Sequence, residues 1–413
     1  MSDSSASIQT ANPRRFGPNY RWVVLAVGVA AQASFSAAFS GIPVIGIMIR
    51  NGYGLSNSEL GFVLGCMALG VGATEILWGL LTDKLGDRVV LLIGLLSMGA
   101  MLAIMSAFVV PGQPGNPGPA ALGISFVLVG VLGASVNSSS GRAVMTWFTD
   151  NRRGFAMSIR QTAIPAGGAI GAAILPYLAQ HYGFAVVYGV LAAFCLASAL
   201  VTFIWLHEAE HPAASASIAL APRSPLRRLD VWRLALASGL LTVPQIAVLT
   251  FAGVFLHDER QVGIATLATT LVLVQVGGAA LRVWSGRYTD KHQNRRSVIR
   301  AIGLLSGVFT LGLLFAPHMP TVIVLALICI SGLFANAWHG VAYTEIAVMA
   351  GAGRAGTAIG MEGTTVFFSA FLTPLLIPVV LAASASWSVV WGLIGVASLV
   401  AIPLSPARQR TAD

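Results

Sequence analysis

The stretch "LWGLLTDKLGDRVVLL" (77–92) places four charged residues, Asp83, Lys84, Asp87 and Arg88, between two long apolar runs. Charge is scarce in the rest of the chain: 9% of the 413 residues are charged and 56% are hydrophobic, whereas an ordinary soluble domain has about 25% charged residues. This composition predicts a membrane protein. A short charged segment between apolar runs then indicates a turn at the membrane surface, between two spans.

Twelve apolar segments are long enough to cross a membrane, which requires about 20 helical residues. They are 22–49, 61–82, 89–110, 120–148, 154–179, 184–206, 232–256, 263–288, 298–316, 321–348, 355–381 and 384–404. The sequence "SNSE" (56–59) before the second segment is typical of a capping box at a helix start. The first segment is too long for a secretory signal, so we expect it to remain as a span.

The distribution of basic residues predicts the orientation. The net charge is +9, and the positive residues lie in short loops between spans. This distribution favours a role in membrane orientation over nucleic-acid binding. Basic residues are retained on the cytoplasmic side, and with a cytoplasmic N-terminus all but five of the 24 Lys and Arg residues lie on the inside. The exceptions are Arg50 and Arg260 outside, and Arg142, Arg160 and Arg282 deeper within spans. We therefore expect a monomeric multi-pass protein of the cell membrane (the inner membrane in a bacterium) with both termini cytoplasmic.

The charged turn recurs in the second half of the chain. "GLLTDKLGDR" (79–88) matches "GRYTDKHQNR" (286–295) at an offset of 207 residues, and "RGFAMSIRQT" (153–162) matches "AGTAIGMEGT" (355–364) at an offset of 202. Two matches in the same order indicate an internal duplication. The predicted fold is an all-α membrane protein with twelve transmembrane helices in two pseudo-symmetric six-helix bundles. The bundles comprise residues 1–206 and 232–413, joined by a cytoplasmic linker at 207–231 that is rich in Ala, Ser and Pro.

The spacing of Gly79, Asp83, Gly86 and Arg88 resembles the loop signature of the major facilitator superfamily of secondary transporters, with Asp87 where that family usually has a basic residue. The resemblance implies alternating access, in which the loop holds the two halves together at helix ends on one side of the membrane. The gating residues expected from it are Asp83, Arg88, Asp150, Arg160 and Asp290. The alternative is that the loop charges only set the topology.

Six ionisable residues lie within the spans: Glu75, Arg142, Arg160, Arg282, Glu345 and Glu362. Each costs about 2.5–3.5 kcal/mol to insert, so each is a functional candidate; structural ion pairs between helices are the alternative. Spans three, six, nine and twelve contain none, a pattern expected if these four face lipid and the others enclose a cavity. The repeat also pairs opposite charges, because Glu75 is equivalent to Arg282 and Arg160 to Glu362.

Arg282 has the strongest case for contact with a substrate. The pattern Arg282-x-x-x-Gly286-x-x-x-Asp290 resembles the eighth-span arginine motif of the monocarboxylate and oxalate transporters, in which this arginine binds the substrate carboxylate. "WFTDNRRGFAMSI" (147–159) is similar to a segment common in the same families. Two features depart from that pattern: Gly278 stands where animal monocarboxylate carriers have an acid, and span one has no lysine.

A polar stripe on span ten, formed by Gly332, Asn336, His339 and Tyr343, lies on one helical face. With Asn137 and Gln32 it is expected to complete the substrate site, or alternatively to form hydrogen bonds between helices. Glu75, Glu362 or His339 is expected to carry a transported proton, because desolvation favours the neutral form of a carboxyl group and histidine titrates near neutral pH.

The sequence contains no phosphate-binding GxxxxGK[ST] motif and no cluster typical of a metal or cofactor site. We therefore expect no enzyme activity and no cofactor. The leading hypothesis is proton-coupled uptake of a small organic anion, a monocarboxylate or an aromatic acid, by alternating access. One alternative is a proton-driven exporter of drugs or metabolites, which needs a large apolar cavity but no anion-binding arginine. The other is a membrane receptor or scaffold without transport.

Overall fold

The computed structural model describes residues 16–17, 19–112, 117–208 and 224–406. Within these ranges the regular structure is entirely helical. The first half contains α1 (Tyr20–Phe39), α2 (Gly46–Tyr53), α3 (Asn57–Leu85), α4 (Asp87–Phe108), α5 (Pro119–Gly133), α6 (Ser135–Trp147) and α7 (Arg153–Trp205). The second half contains α8 (Leu229–Arg260), α9 (Ile264–His292), α10 (Arg295–Gly312), α11 (Thr321–Ala337), α12 (His339–Ala350), α13 (Ala355–Ser384) and α14 (Trp387–Leu404). Of the predicted linker, residues 209–223 lie outside the described ranges.

Eleven continuous helical stretches of the described chain are long and apolar enough to span a membrane. The longest, α7, has 53 residues and would measure about 80 Å, more than twice the thickness of the hydrocarbon core. It is interrupted at Gly183, whose φ of 76° and ψ of −179° are not helical and are readily adopted only by glycine. The fifth and sixth predicted spans therefore lie on either side of Gly183, and the prediction of twelve transmembrane helices is confirmed.

Two further spans are built from consecutive helices whose junctions lie inside the membrane region. Helix α5 gives way to α6 at Ala134, and α11 gives way to α12 at Trp338. The first turns after these junctions carry Asn137 and His339, respectively. Discontinuous helices of this kind are typical places for polar sites in transporters.

The start of α3 shows how local sequence fixes the helix boundaries. The backbone N–H of Ser56 donates to Glu59 Oε2 at 2.8 Å, and the Glu59 N–H donates to Ser56 Oγ at 3.2 Å. The predicted capping box is therefore formed, and it satisfies two amides that would otherwise have no intrahelical acceptor.

The two bundles meet along two seams. We name them the α3/α13 seam and the α7/α9 seam. In the first, a Cβ added to Gly79 would clash with the carbonyl oxygen of Gly356, and in the second, a Cβ added to Gly286 would clash with that of Gly154. Paired glycines allow the backbones of neighbouring membrane helices to approach closely. Because these pairs are related by the internal repeat, the two crossings are pseudo-symmetric.

An even number of spans places both ends of the described chain at one face, which we name the terminal face. Helix α1 begins there, with the Tyr20 hydroxyl donating to the Trp205 carbonyl at 2.7 Å. Helix α14 ends there, with Arg300 donating to the Ser405 carbonyl at 2.5 Å. The charged turns after α3 and α9 lie at the same face.

Candidate functional site

At the terminal face, the carboxylate of Asp83 binds the first turn of α13 across the α3/α13 seam. Its oxygens accept hydrogen bonds from the backbone N–H groups of Gly356 at 2.9 Å and Thr357 at 2.8 Å, and from Thr357 Oγ1 at 2.6 Å. The N-terminal amides of a helix have no intrahelical acceptor and carry partial positive charge, so an anion stabilises them. A residue of the first bundle thus caps a helix of the second.

The repeat produces the same arrangement on the α7/α9 seam. The Asp290 carboxylate accepts hydrogen bonds from the N–H groups of Gly154 at 2.8 Å and Phe155 at 2.7 Å, in the first turn of α7. Arg295 lies 3.6 Å from the same carboxylate. We name the Asp83 and Asp290 contacts the terminal latches. They connect the bundles in opposite directions, first to second and second to first.

Two other predicted gating residues have different surroundings. Arg88 Nη2 donates to the Phe203 carbonyl at 2.6 Å, a contact within the first bundle. The Asp150 side chain pairs locally with Arg153 at 2.7 Å, and only its backbone carbonyl reaches the second bundle, at 3.1 Å from Arg295. The latches therefore do not include the Arg88 and Asp150 side chains.

Arg142, and not Arg88, is the arginine that pairs with Asp83. Its guanidinium lies 3.3 Å from Asp83 and 2.8 Å from Asp87. Asp87, the departure from the loop signature, is therefore a partner of a buried arginine. Glu345 of the second bundle pairs with Arg296 at 2.5 Å, so these two intramembrane candidates, Arg142 and Glu345, both form ion pairs.

A buried apolar cluster lies beneath the latches and joins the bundles. We name it the inner plug. It consists of Met145, Met157, Tyr343, Ala347, Ala355 and Ile359. Two of these side chains belong to the first bundle and four to the second. Together with the latches, the plug closes the path from the terminal face to the polar centre of the protein.

Above the plug, a polar network of the first bundle is centred on Asn137. The Asn137 amide donates to Glu75 Oε1 at 3.1 Å and accepts from Arg160 Nη2 at 3.1 Å. Ser138 Oγ donates to the other Glu75 oxygen at 3.0 Å, and Gln32 Oε1 accepts from Arg160 at 2.9 Å. The structure thus brings together four predicted site residues, and it places Arg160 in this network and not at the latches.

Arg282 lies on the α7/α9 seam and contacts both bundles. Its Nε donates to the Asn336 carbonyl at 2.9 Å, Nη1 donates to the Gln161 carbonyl at 2.7 Å, and Nη2 donates to Asn336 Oδ1 at 3.4 Å. The residue is 2% exposed. Among the described residues no carboxylate lies within ion-pair distance of it. All of its acceptors are therefore neutral.

The remaining predicted residues lie on the second-bundle side of this centre. Ser238 Oγ donates to Glu362 Oε1 at 2.8 Å, while Glu362 Oε2 is buried without a hydrogen-bond partner in the described chain. His339 Nδ1 is likewise unpartnered, and its ring stacks on Trp338 at 3.8 Å. The Tyr343 hydroxyl lies 3.5 Å from the Asn137 amide nitrogen and so connects this side to the first bundle.

A cavity of about 860 Å³ lies along the α7/α9 seam, on the side of this centre that is away from the terminal face. Its lining comes from the segment between α1 and α2 and from α7, α8 and α9, and it is mainly apolar: Ser40, Val44, Thr162, Pro165, Ala166, Gly168, Ala169, Ala172, Leu249, Leu271, Val272, Gln275, Val276 and Ala279. Thr162 follows Gln161 in sequence, and Ala279 lies about one turn before Arg282. Arg282 is not itself a lining residue; it is buried about one helical turn beyond the Ala279 end of the cavity.

Comparison with known proteins identifies the family. The model of the Major Facilitator Superfamily matches residues 24–374 and, in a second match, residues 256–410. An uncharacterized MFS-type transporter, Rv2994 of Mycobacterium tuberculosis, is 30% identical over 95% of this chain and 86% of its own length. The probable sulfoacetate transporter SauU of Cupriavidus necator is 24% identical over 88% of this chain and 89% of its own. A solved structure of the proton:xylose symporter XylE, bound to 6-bromo-6-deoxy-D-glucose, superimposes with a TM-score of 0.77 at 15% identity, covering 95% of this chain and 97% of that chain. The chain is a membrane transporter and not an enzyme, and it belongs to the major facilitator superfamily.

Proposed function

We propose that the protein is a secondary active transporter of a small organic anion, and that Arg282 binds the substrate carboxylate. The observation that carries this proposal is the environment of Arg282: a buried guanidinium between the two bundles, beneath a cavity, with only neutral acceptors. A guanidinium offers a fixed fork of donors that matches a carboxylate and keeps its charge. An anion that reached Arg282 would replace bonds to neutral carbonyl oxygens with bonds between opposite charges.

Contacts of Arg282 with both bundles connect binding to movement. Gln161 belongs to α7 of the first bundle and Asn336 to α11 of the second. An anion that drew Arg282 away from the Gln161 carbonyl would change the contacts across the α7/α9 seam. Ligand binding would then shift the balance between states open at opposite faces, which is the requirement for alternating access.

The mainly apolar walls of the cavity favour an acid with an apolar or aromatic body. Such a molecule would place its body against residues such as Leu271 and Val276 and its carboxylate toward Arg282. The relative SauU, named as a probable sulfoacetate transporter, supports an anionic substrate. Proton-coupled uptake remains our preferred mode, with the terminal face in the cytoplasm because the Lys and Arg residues concentrate there.

We assign the transported proton to Glu362. A proton can bind Glu362 Oε2 without breaking a hydrogen bond, because that oxygen has no partner among the described residues. Both oxygens of Glu75 already accept hydrogen bonds, from Asn137 and Ser138. Protonation of Glu75 would therefore weaken an accepted hydrogen bond of the polar network, whereas protonation of Glu362 at Oε2 would not.

The test measures binding to the purified protein by thermal stabilisation across a panel of mono-, di- and aromatic carboxylates. A ligand at about 100 times its dissociation constant should stabilise the protein by about 2.7 kcal/mol. Arg282→Gln should abolish this stabilisation, and Arg282→Lys should weaken it at least tenfold, since lysine keeps the charge but loses the fork. Arg260→Gln is the matched control, because Arg260 also donates to a carbonyl, that of Met319, but at the far end of α8.

The apolar cavity also suits an exporter of hydrophobic compounds, and the same experiment separates the two functions. An exporter has no requirement for Arg282. If Arg282→Gln binds and transports the identified substrate with unchanged affinity, the anion proposal is wrong and the exporter becomes the better interpretation.

A further inference from the structure

A second cavity, of about 550 Å³, lies at the terminal face on the α7/α9 seam. We name it the basic pocket. It is lined by Trp22, Asn151, Arg152, Phe155, Arg287, Asp290 and Lys291. The first four residues belong to the first bundle and the last three to α9 of the second. The pocket is therefore assembled from both halves of the transporter, well away from Arg282 and the central network.

Three of its side chains are cations that have no hydrogen-bond or ion-pair partner among the described residues. Arg152, Arg287 and Lys291 are exposed, and no described residue forms a side-chain hydrogen bond or an ion pair with any of them. The one carboxylate in the lining, Asp290, accepts hydrogen bonds from the amides of Gly154 and Phe155 and forms an ion pair with Arg295. Its charge is therefore compensated by these groups, and the pocket has an excess of positive charge.

We propose that the basic pocket binds a phosphate-bearing anion, held by Arg152 from the first bundle and by Arg287 and Lys291 from the second. Arginine recognises phosphate through paired hydrogen bonds, and lysine acts as a further point charge. Trp22 and Phe155 supply an apolar wall at the level where the chain leaves the membrane. Basic pockets between membrane helices at this level suit lipid headgroups, and a soluble phosphate offers the same chemistry.

The pocket exists only while the α7/α9 seam is closed at the terminal face. The Asp290 latch fixes the first turn of α7 against α9, and the Arg287 guanidinium lies 5.8 Å from the centre of the Phe155 ring across the same seam. Separation of the bundles would move Arg152 away from Arg287 and Lys291. The anion therefore stabilises the state closed at this face, a consequence that depends on the proposed alternating access, whereas binding itself does not.

Binding is tested on the purified full-length protein, solubilised in detergent in a phosphate-free buffer, with the unfolding midpoint as the readout. One arm titrates inorganic phosphate. The other titrates phosphatidylglycerol into mixed micelles, with phosphatidylcholine as the zwitterionic comparison. Stabilisation by phosphatidylglycerol alone identifies a lipid site, and stabilisation by phosphate alone identifies a site for a soluble anion. We expect saturable stabilisation in at least one arm and none from phosphatidylcholine.

The variant Arg287→Gln/Lys291→Gln should weaken the apparent affinity at least tenfold. The matched control is Lys84→Gln/Arg354→Gln, which removes two cations at repeat-related positions of the α3/α13 seam, where Leu80 stands in place of Arg287. The control should bind as the wild type does.

Arg152→Gln alone should weaken binding in the same direction from the opposite bundle, and it serves as the second variant if the double variant does not fold. Arg282→Gln should retain saturable stabilisation, so the presence of binding is independent of the proposed substrate site. Absence of saturable stabilisation in both arms, equal stabilisation by phosphatidylcholine, or equal losses in the pocket variant and its control would each overturn the proposal.

Discussion

Asp83→Asn should open the terminal face, because it weakens the latch on α13. Asp83 accepts three hydrogen bonds there, two from the backbone amides of Gly356 and Thr357 and one from the Thr357 hydroxyl. Asparagine keeps one acceptor oxygen but turns an N–H group toward these donors. At least one charge-assisted bond is lost, worth about 1.5–3 kcal/mol. A loss of about 2 kcal/mol corresponds to a roughly 30-fold shift toward the open state.

The shift can be measured with a cysteine in the inner plug. Ala347 is 2% exposed in the closed structure, so a cysteine at this position reacts with a maleimide only when the plug separates. Cys66, Cys195 and Cys329 are first replaced by alanine. If opening is fast relative to modification, the reaction rate follows the open population and should rise roughly 30-fold in Asp83→Asn.

Asp87→Asn is the matched control, because Asp87 also pairs with Arg142 but, among the described residues, forms no hydrogen bond with the second bundle. It should change the unfolding midpoint but leave the modification rate at position 347 within twofold of the parent. The latch mechanism is refuted if Asp83→Asn folds normally and the rate at position 347 stays within twofold of the parent. It is also refuted if Asp87→Asn accelerates modification to the same extent.

Two further outcomes are expected. Gly79→Ala places a methyl group against the Gly356 carbonyl and should destabilise the closed state by about 1–3 kcal/mol. The modification rate at position 347 should therefore rise. The control Gly61→Ala, on the same helix with nothing within 4 Å of the added Cβ, should leave that rate unchanged. Glu362→Gln should abolish substrate accumulation driven by a pH gradient in proteoliposomes but retain substrate exchange. Glu75→Gln should retain both accumulation and exchange. The opposite result assigns the proton to Glu75.

The sequence was sufficient for the fold because the membrane leaves few choices. Each crossing needs about 20 apolar residues with their backbone bonds satisfied internally, so the number of spans can be read from composition. This holds even in α7, whose helix is nearly continuous through Gly183. The repeated charged turn then indicated two related bundles, because a ten-residue match recurred at the same place in the order of spans.

The central site could be predicted only in part. The free-energy cost of inserting an ionisable side chain into the membrane was enough to indicate Glu75, Arg160 and Arg282, because such a side chain within a span needs a special environment. The role of Arg142 in holding Asp83 was missed, since spacing along one chain does not reveal a partner on another helix. The inner plug was missed for a different reason. Methionine, alanine and isoleucine give a helix the same apolar sequence pattern whether they face lipid or the other bundle.

The repeat also explains why the two seams differ. Glu75 lies on α3 and Glu362 on α13, so both acids belong to the α3/α13 seam, and the Glu75 carboxyl packs against Gly363, where an added Cβ would lie 2.6 Å from Glu75 Cδ. Arg160 lies on α7 and Arg282 on α9, so both arginines belong to the α7/α9 seam.

Exchange of sign between the halves has therefore made one seam acidic and the other basic at the same depth. The acidic seam remains packed beyond this depth, because a Cβ on Gly65 would lie 3.0 Å from the Phe371 ring. The basic seam opens into the cavity of about 860 Å³ instead. An anion entering from that face would meet arginine before carboxylate, whereas Glu362 would exchange its proton on the opposite side of the same centre. In the proposed mechanism, separate seams for the anion and the proton would allow both to act on one pair of bundles without competing for one site.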